Sequence, residues 1–207
     1  METTIQDFKL TTLVISSVFI ILFLVVSAVE SNSVVLNGYS TVLLCAVICI
    51  GIQWIAWIPA SIWKTERFYD LTGGLTFLVL VVFSLWSGSQ FEPPSLREII
   101  VSTLVIVWSL RLSSFLYFRI HRTGKDGRFD RLKTSPIRFL VPWTLQGLWV
   151  FLTMVVVIVI NNQENASPAL GVWDFIGLLL WITGFGIEVI ADNQKTVFNS
   201  DPKNKDK

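Results

Sequence analysis

Three polar groupings interrupt a chain that is otherwise suited to lipid. The first is "RLSSFLYFRIHRTGKDGRFDRLK", Arg111–Lys133. A cation well inside an apolar helix costs about 2.5–3.5 kcal/mol on insertion scales, so it normally meets a partner or a polar cavity. Arg119 and Arg122 can snorkel to the interface, but Arg111 lies two turns deeper, which points to a paired or functional role. Two glycines flank Lys125-Asp126, the composition of a turn that projects charge at the membrane surface. The basic residues of this segment suit anionic lipid headgroups or a phosphate-bearing ligand, and charge alone does not separate the two. The second grouping is Glu188, Asp192, Lys195 and Asn199, spaced four, three and four, so that all share one helical face. Intrahelical pairing explains that spacing, but not why Glu188 sits where burying a carboxylate is costly. Two acids aimed at the region of Arg111 would form a mutually compensated pocket. The third is "ERFYDLTGG", Glu66–Gly74. Convergence of three such groups at one end of a helical bundle is the pattern of a ligand site.

The elements that must position these groups follow from composition. Of 207 residues, 53% are hydrophobic and 15% charged, with a mean hydropathy of +0.64. Soluble domains carry about 25% charge, so the expected class is an all-α polytopic membrane bundle in a single domain over 1–207. The apolar runs are continuous and lack the alternation of a β-barrel. About six spans can be drawn at roughly 20 residues each: Leu10–Val29, Val34–Trp63, Leu71–Trp86, Ile99–Ile120, Ile137–Ile160 and Val172–Ala191. Pro59 predicts a kink near the end of the second, and "DLTGG" is a weak start for the third. Lysines and arginines gather in the connections Lys64–Asp70 and His121–Arg138 and in the tail. The opposite connections carry only Arg97. Both termini are therefore expected in the cytoplasm.

Other features need no chemistry. Cys45 and Cys49 read as small apolar fillers, with neither a disulfide nor a metal site suggested. Tryptophans 54, 57, 63, 86, 143 and 181 suit an interfacial aromatic belt. Asn165–Ser167 fits a glycosylation sequon. The first apolar run is read as a retained span rather than a cleaved signal. The bilayer is the expected partner, and nucleic acid is not.

Together, "ERFYDLTGGLTF", "RLSSFLYFRIHRTGKDGRFDRLK", "LQGLWV" and "GFGIEVIADNQKTVF" resemble the DUF1295 family, from about Thr41 onward. The family is a branch of the steroid 5α-reductase-like membrane proteins, which include sterol reductases and relatives of isoprenylcysteine carboxyl methyltransferase. The resemblance implies a membrane reductase acting on a C=C bond of a lipid-like substrate, with NADPH in a cavity open to the cytoplasm. It assigns Glu188 and Asp192 to cofactor contacts and Arg111 and Arg122 to phosphates. Arg119 occupies a polar position between them, and Lys195 matches the family pattern. Trp108 stands where the steroid enzymes carry a catalytic tyrosine, which leaves Tyr69 as a conjectural acid and tells against steroid enones. Relatives continue with further helices and an Arg-His-Pro-Asn-Tyr motif, so the chain looks like a C-terminally truncated member. The alternatives are a non-catalytic truncated membrane protein and an S-adenosylmethionine-dependent methyltransferase.

Overall fold

The computed structural model describes residues 2–163, 169–201 and 203. Among the described residues, six helices are long and apolar enough to cross a membrane: α1 (Glu2–Val29), α2 (Thr41–Trp63), α3 (Tyr69–Ser89), α4 (Leu96–Thr123), α5 (Pro136–Asn161) and α6 (Val172–Ser200). The protein is thus an all-α, multi-pass integral membrane protein. It resolves into two compact units, Met1–Ser167 and Pro168–Lys207. The sequon at Asn165–Ser167 lies outside the described residues.

The first unit is a five-helix bundle in which α5 touches all four other helices. Its apolar core joins Val18 and Leu22 of α1, Cys45 and Cys49 of α2, Leu80 and Val81 of α3, and Phe151 and Met154 of α5. Both cysteines are fully buried in that cluster, as small fillers should be. Large apolar residues such as Phe23, Ile55 and Val82 remain exposed, as expected where the surrounding solvent is hydrocarbon.

Helix ends follow local chemistry. Ser40 accepts a hydrogen bond from Leu43 N at the start of α2. Ser95 and Glu98 form a capping box on α4, and Pro136 opens α5 behind the cap Ser135. α4 ends where Gly124 takes φ 81°, a left-handed conformation that costs little without a Cβ. α2 runs through Pro59 to Trp63.

Two sequence expectations need correction. The second span does not begin at Val34. Val35–Leu36 and Tyr39–Ser40 form a small antiparallel hairpin, and Asn37 and Gly38 both take positive φ at its turn. Trp143, expected in the aromatic belt, is instead fully buried. It packs with Ala60, Phe129 and Phe139 in a second cluster, because the segment after α4 folds back over that face of α5. Trp63 and Trp86 do remain exposed.

At the hairpin end, a hydrogen-bonded knot ties the helices. Asn161 Nδ2 donates to Ser84 Oγ at 2.9 Å and Ser102 Oγ at 3.1 Å, linking α5 to α3 and α4. Asn162 Nδ2 donates to the Ser84 carbonyl at 3.1 Å. Buried polar atoms in an apolar bundle need such partners. With that end fixed, the opposite ends of α3, α4 and α5 are held around a cleft.

The second unit is α6. Its first turn is closed by Asp174, whose carboxylate accepts from Gly171 N at 2.7 Å. The helix extends past the predicted span end at Ala191 to Ser200. Glu188, Asp192, Lys195 and Asn199 all lie within it, on one face by their spacing.

Candidate functional site

The cleft encloses about 290 Å³ between α3, α4 and α5. Each helix contributes a stripe at helical spacing. On α3 it runs Tyr69 and Asp70, Gly73 and Gly74, then Phe77; on α4 it includes Trp108, Leu112 and Leu116; on α5 it is Leu145, Gln146 and Trp149. The aromatic wall is built edge to face. Phe77 meets Trp108 at 5.0 Å and Trp149 at 5.5 Å between ring centroids, the favoured geometry for ring quadrupoles.

The glycine pair that weakens the start of α3 has its explanation here. A Cβ on Gly73 would collide with Gln146 Nε2, and one on Gly74 with Ser113 Oγ. Each helical glycine costs about 1 kcal/mol relative to alanine, and close approach of the three helices offsets this. Gln146 Nε2 then donates to the Tyr69 carbonyl at 3.2 Å, while Gln146 Oε1 is buried without a partner.

Polar groups at the rim come from two of the three groupings. Asp70 lies 3.7 Å from Arg119, which shares a helix face with Leu112 at a seven-residue interval. Glu66 is almost fully buried. It accepts from Asp126 N at 2.8 Å and Lys133 Nζ at 2.9 Å. This clamp, with Phe129 inserted beside Tyr69 at 4.9 Å, seats the segment between α4 and α5.

That segment uses much of its own charge. Lys125 pairs with Asp130, Arg128 with Asp126, Lys133 with Glu66 and Asp130, and Arg138 with Asp7. Among the described residues, the exposed Arg122 and Arg131 have no ion pair. The sequence-level choice between lipid and phosphate for this whole segment therefore narrows to few cations.

Arg128's side-chain hydrogen bonds hold Asp126 below the ordinary carboxylate value of 3.8. Lys125 and then Lys133 do the same for Asp130. Burial opposes the Lys133 ammonium, but hydrogen bonds to Glu66 and Asp130 outweigh it and raise its pKa above 10.5. A depressed carboxylate adds stability above its unfolded value and loses it as pH falls through the folded one. A raised lysine adds stability below its unfolded value and loses it as pH rises through the folded one. Hydrogen exchange at the Asp126 amide should therefore be uniformly protected across neutral pH. Protection should fall only in acid, below the ordinary value of 3.8, or in alkali, above 10.5. A loss of protection near pH 7 would show that other groups hold the segment.

The predicted site residues are distributed as follows. Arg119 joins the cleft rim. Arg111 and Arg122 are eleven residues apart, three turns, on a neighbouring face of α4, about 16 Å apart along the axis. Arg111 is half-buried, with its guanidinium 5.7 Å over the Phe115 ring. Tyr69 lines the cleft, and its hydroxyl donates to the Pro142 carbonyl at 2.9 Å. Glu188, Asp192 and Lys195 share a face of α6 in the second unit. Sequence reasoning missed Asp70 as the partner of Arg119, and it missed Gln146. The motif "LQGLWV" contains Gln146, and its spacing from Leu145 and Trp149 was the available signal.

These features define a multi-pass helical membrane protein with an aromatic-walled, partly polar cleft. The chain belongs to the DUF1295 family, whose model, described as "Protein of unknown function (DUF1295)", matches residues 56–207. That range includes every residue of the cleft. No curated protein and no solved structure matches the chain.

Proposed function

We propose that this protein is an NADPH-dependent membrane reductase that saturates a C=C bond of a lipid-like substrate. The carrying observation is that one helix, α4, contributes both an apolar cleft wall and an arginine ladder. Trp108, Leu112 and Leu116 line a space suited to an apolar ligand end. Arg111 and Arg122, aligned three turns apart, supply the planar donor forks that suit a ligand with more than one phosphate. The donor set thus fits NADPH, with Arg119 committed to Asp70 at the rim. The family resemblance puts the cofactor cavity at the basic, cytoplasmic end of the bundle.

When bound, NADPH supplies a hydride to one alkene carbon and leaves as NADP⁺, while a proton completes the other carbon. The chain's part is to hold the alkene against the aromatic wall, exclude water and deliver that proton. Tyr69 is the candidate acid, and donation requires its hydroxyl to turn from the Pro142 carbonyl towards the ligand. Tyr69→Phe should lower turnover at least about 100-fold if Tyr69 is the acid, while stability falls by only about 1 kcal/mol for the lost hydrogen bond. NADPH oxidation coupled to saturation of an added isoprenoid, followed by mass, measures the first; thermal unfolding measures the second. Unchanged turnover in Tyr69→Phe removes Tyr69 from the reaction. Saturation that proceeds without NADPH removes the reductase reading itself.

A further inference from the structure

We propose that the end of the bundle where α2 and α4 finish and α3 and α5 begin binds the headgroups of anionic phospholipids through Lys9, Lys64, Arg67 and Arg131. This goes beyond the reductase reading and uses none of the residues assigned to the cofactor.

The proposal rests on which charges remain after pairing. At this end Asp7, Glu66, Asp70, Asp126 and Asp130 each face a cation: Arg138, Lys133, Arg119, Arg128 and Lys125 in turn. Among the described residues, Lys9, Lys64, Arg67 and Arg131 have no ion pair, and all four are exposed. Arg122 is unpaired as well, but it belongs to the proposed cofactor ladder. The surplus is of one sign, and such a surface attracts anions from outside the bundle.

The four cations are held in place by the bonds beside them. Lys9 lies between Asp7, paired with Arg138 at 3.0 Å, and Thr11, whose hydroxyl donates to the Ile137 carbonyl at 3.2 Å. Lys64 and Arg67 flank Glu66, which is fastened to Asp126 N and Lys133 Nζ of the segment between α4 and α5. Arg131 stands in that segment, two residues before Lys133. Each cation is thus within two residues of a bond that ties one element to another.

Their neighbours identify the anion as lipid. Lys9 sits between Phe8 and Leu10, 60% and 55% exposed, and Lys64 follows Ile62 and Trp63, each 70% exposed. Exposed apolar and aromatic residues beside an exposed ammonium mark the passage from hydrocarbon to headgroups. A soluble phosphate has nothing to set against that apolar flank. A phospholipid covers it with acyl chain and brings its phosphate to the cations.

The test is titration of the full chain, in micelles of an uncharged detergent, with dansyl-labelled phosphatidylglycerol or phosphatidylcholine, read by energy transfer from tryptophan. Phosphatidylglycerol should bind at least about fivefold more tightly, the equivalent of about 1 kcal/mol. The difference should shrink as added salt shortens the screening length. Neutralising all four cations (Lys9→Gln, Lys64→Asn, Arg67→Gln and Arg131→Gln) should bring the two lipids to parity. Asn is chosen for Lys64 because that residue takes φ 49°, a conformation Asn tolerates. The charge-conserving set, Lys9→Arg, Lys64→Arg, Arg67→Lys and Arg131→Lys, should keep the preference. Equal binding of the two lipids by the wild-type protein would overturn the proposal without recourse to a variant. So would a neutralised protein that unfolds at the wild-type temperature and keeps the full preference. Displacement of phosphatidylglycerol by inorganic phosphate, beyond that caused by sodium chloride at equal ionic strength, would overturn it in favour of a soluble ligand. Arg111 and Arg122 are unchanged throughout, so NADPH titration reports on the reductase reading separately.

Discussion

Glu66→Ala should destabilise the bundle by about 3–5 kcal/mol, because it breaks a buried charged pair by removing one partner. Glu66 is almost fully buried, and its two oxygens hold Asp126 N at 2.8 Å and Lys133 Nζ at 2.9 Å. The Lys133 side chain is itself only 19% exposed. Removing the carboxylate leaves an ammonium poorly solvated and a backbone N–H without its acceptor, so the loss exceeds that of a surface salt bridge. Asp130, 3.1 Å from Lys133, offsets part of the charge but cannot reach into the place of Glu66. Thermal unfolding in detergent should show a fall of roughly 2–4 °C per kcal/mol for a chain of this length. Glu66→Gln, which keeps an acceptor for Asp126 N, should lose clearly less. Equal losses in the two variants would mean that charge, rather than the hydrogen bond to the segment, dominates.

Trp143→Ala should cost a similar amount, about 3–5 kcal/mol, through the cavity left by a large buried side chain. Trp143 has no exposed surface. It stands edge-on to Tyr69 at 5.0 Å and to Phe139 at 6.1 Å, and tilted against Phe68 at 5.8 Å. Its loss removes the surface on which Tyr69 and Phe129 are seated, so ligand binding in the cleft should weaken together with stability. Trp143→Phe, which keeps an aromatic ring in place, should recover most of both. Trp63→Ala, at an exposed position, is the control and should change unfolding by less than about 0.5 kcal/mol. If the two alanine variants behave alike, the aromatic cluster is not what seats the segment.

The sequence carried the helices because continuous apolar runs of membrane-spanning length have few other structures available to them. It misplaced the start of α2 because Val34–Leu36 merges with the apolar run that follows. The Asn37-Gly38 dipeptide held the hairpin signal, but length pointed towards a longer helix. The arginines of α4 were visible because charge in an apolar helix is expensive. Asp70 and Gln146 were not singled out. No local pattern says which polar residues of three separate helices will border one cavity. The same is true of Trp143, since a tryptophan near a span end reads as interfacial until a distant segment covers it. Gly73 and Gly74 were noted as a weakness of α3, yet they are what lets Gln146 and Ser113 approach. The sense of such a pair appears only with its neighbours.

In the proposed function, the arginine ladder of α4 serves a phosphate-bearing reductant. It is tested most directly by titrating the full chain in lipid nanodiscs with NADPH and, in parallel, with S-adenosylmethionine. Energy transfer from tryptophan to the nicotinamide reads the first, and isotopic label reads the second. Saturable binding of NADPH is expected, weakened at least about tenfold by Arg122→Ala through the loss of a charge-assisted contact, with no comparable binding of S-adenosylmethionine. Absence of NADPH binding, or a preference for S-adenosylmethionine, would contradict it.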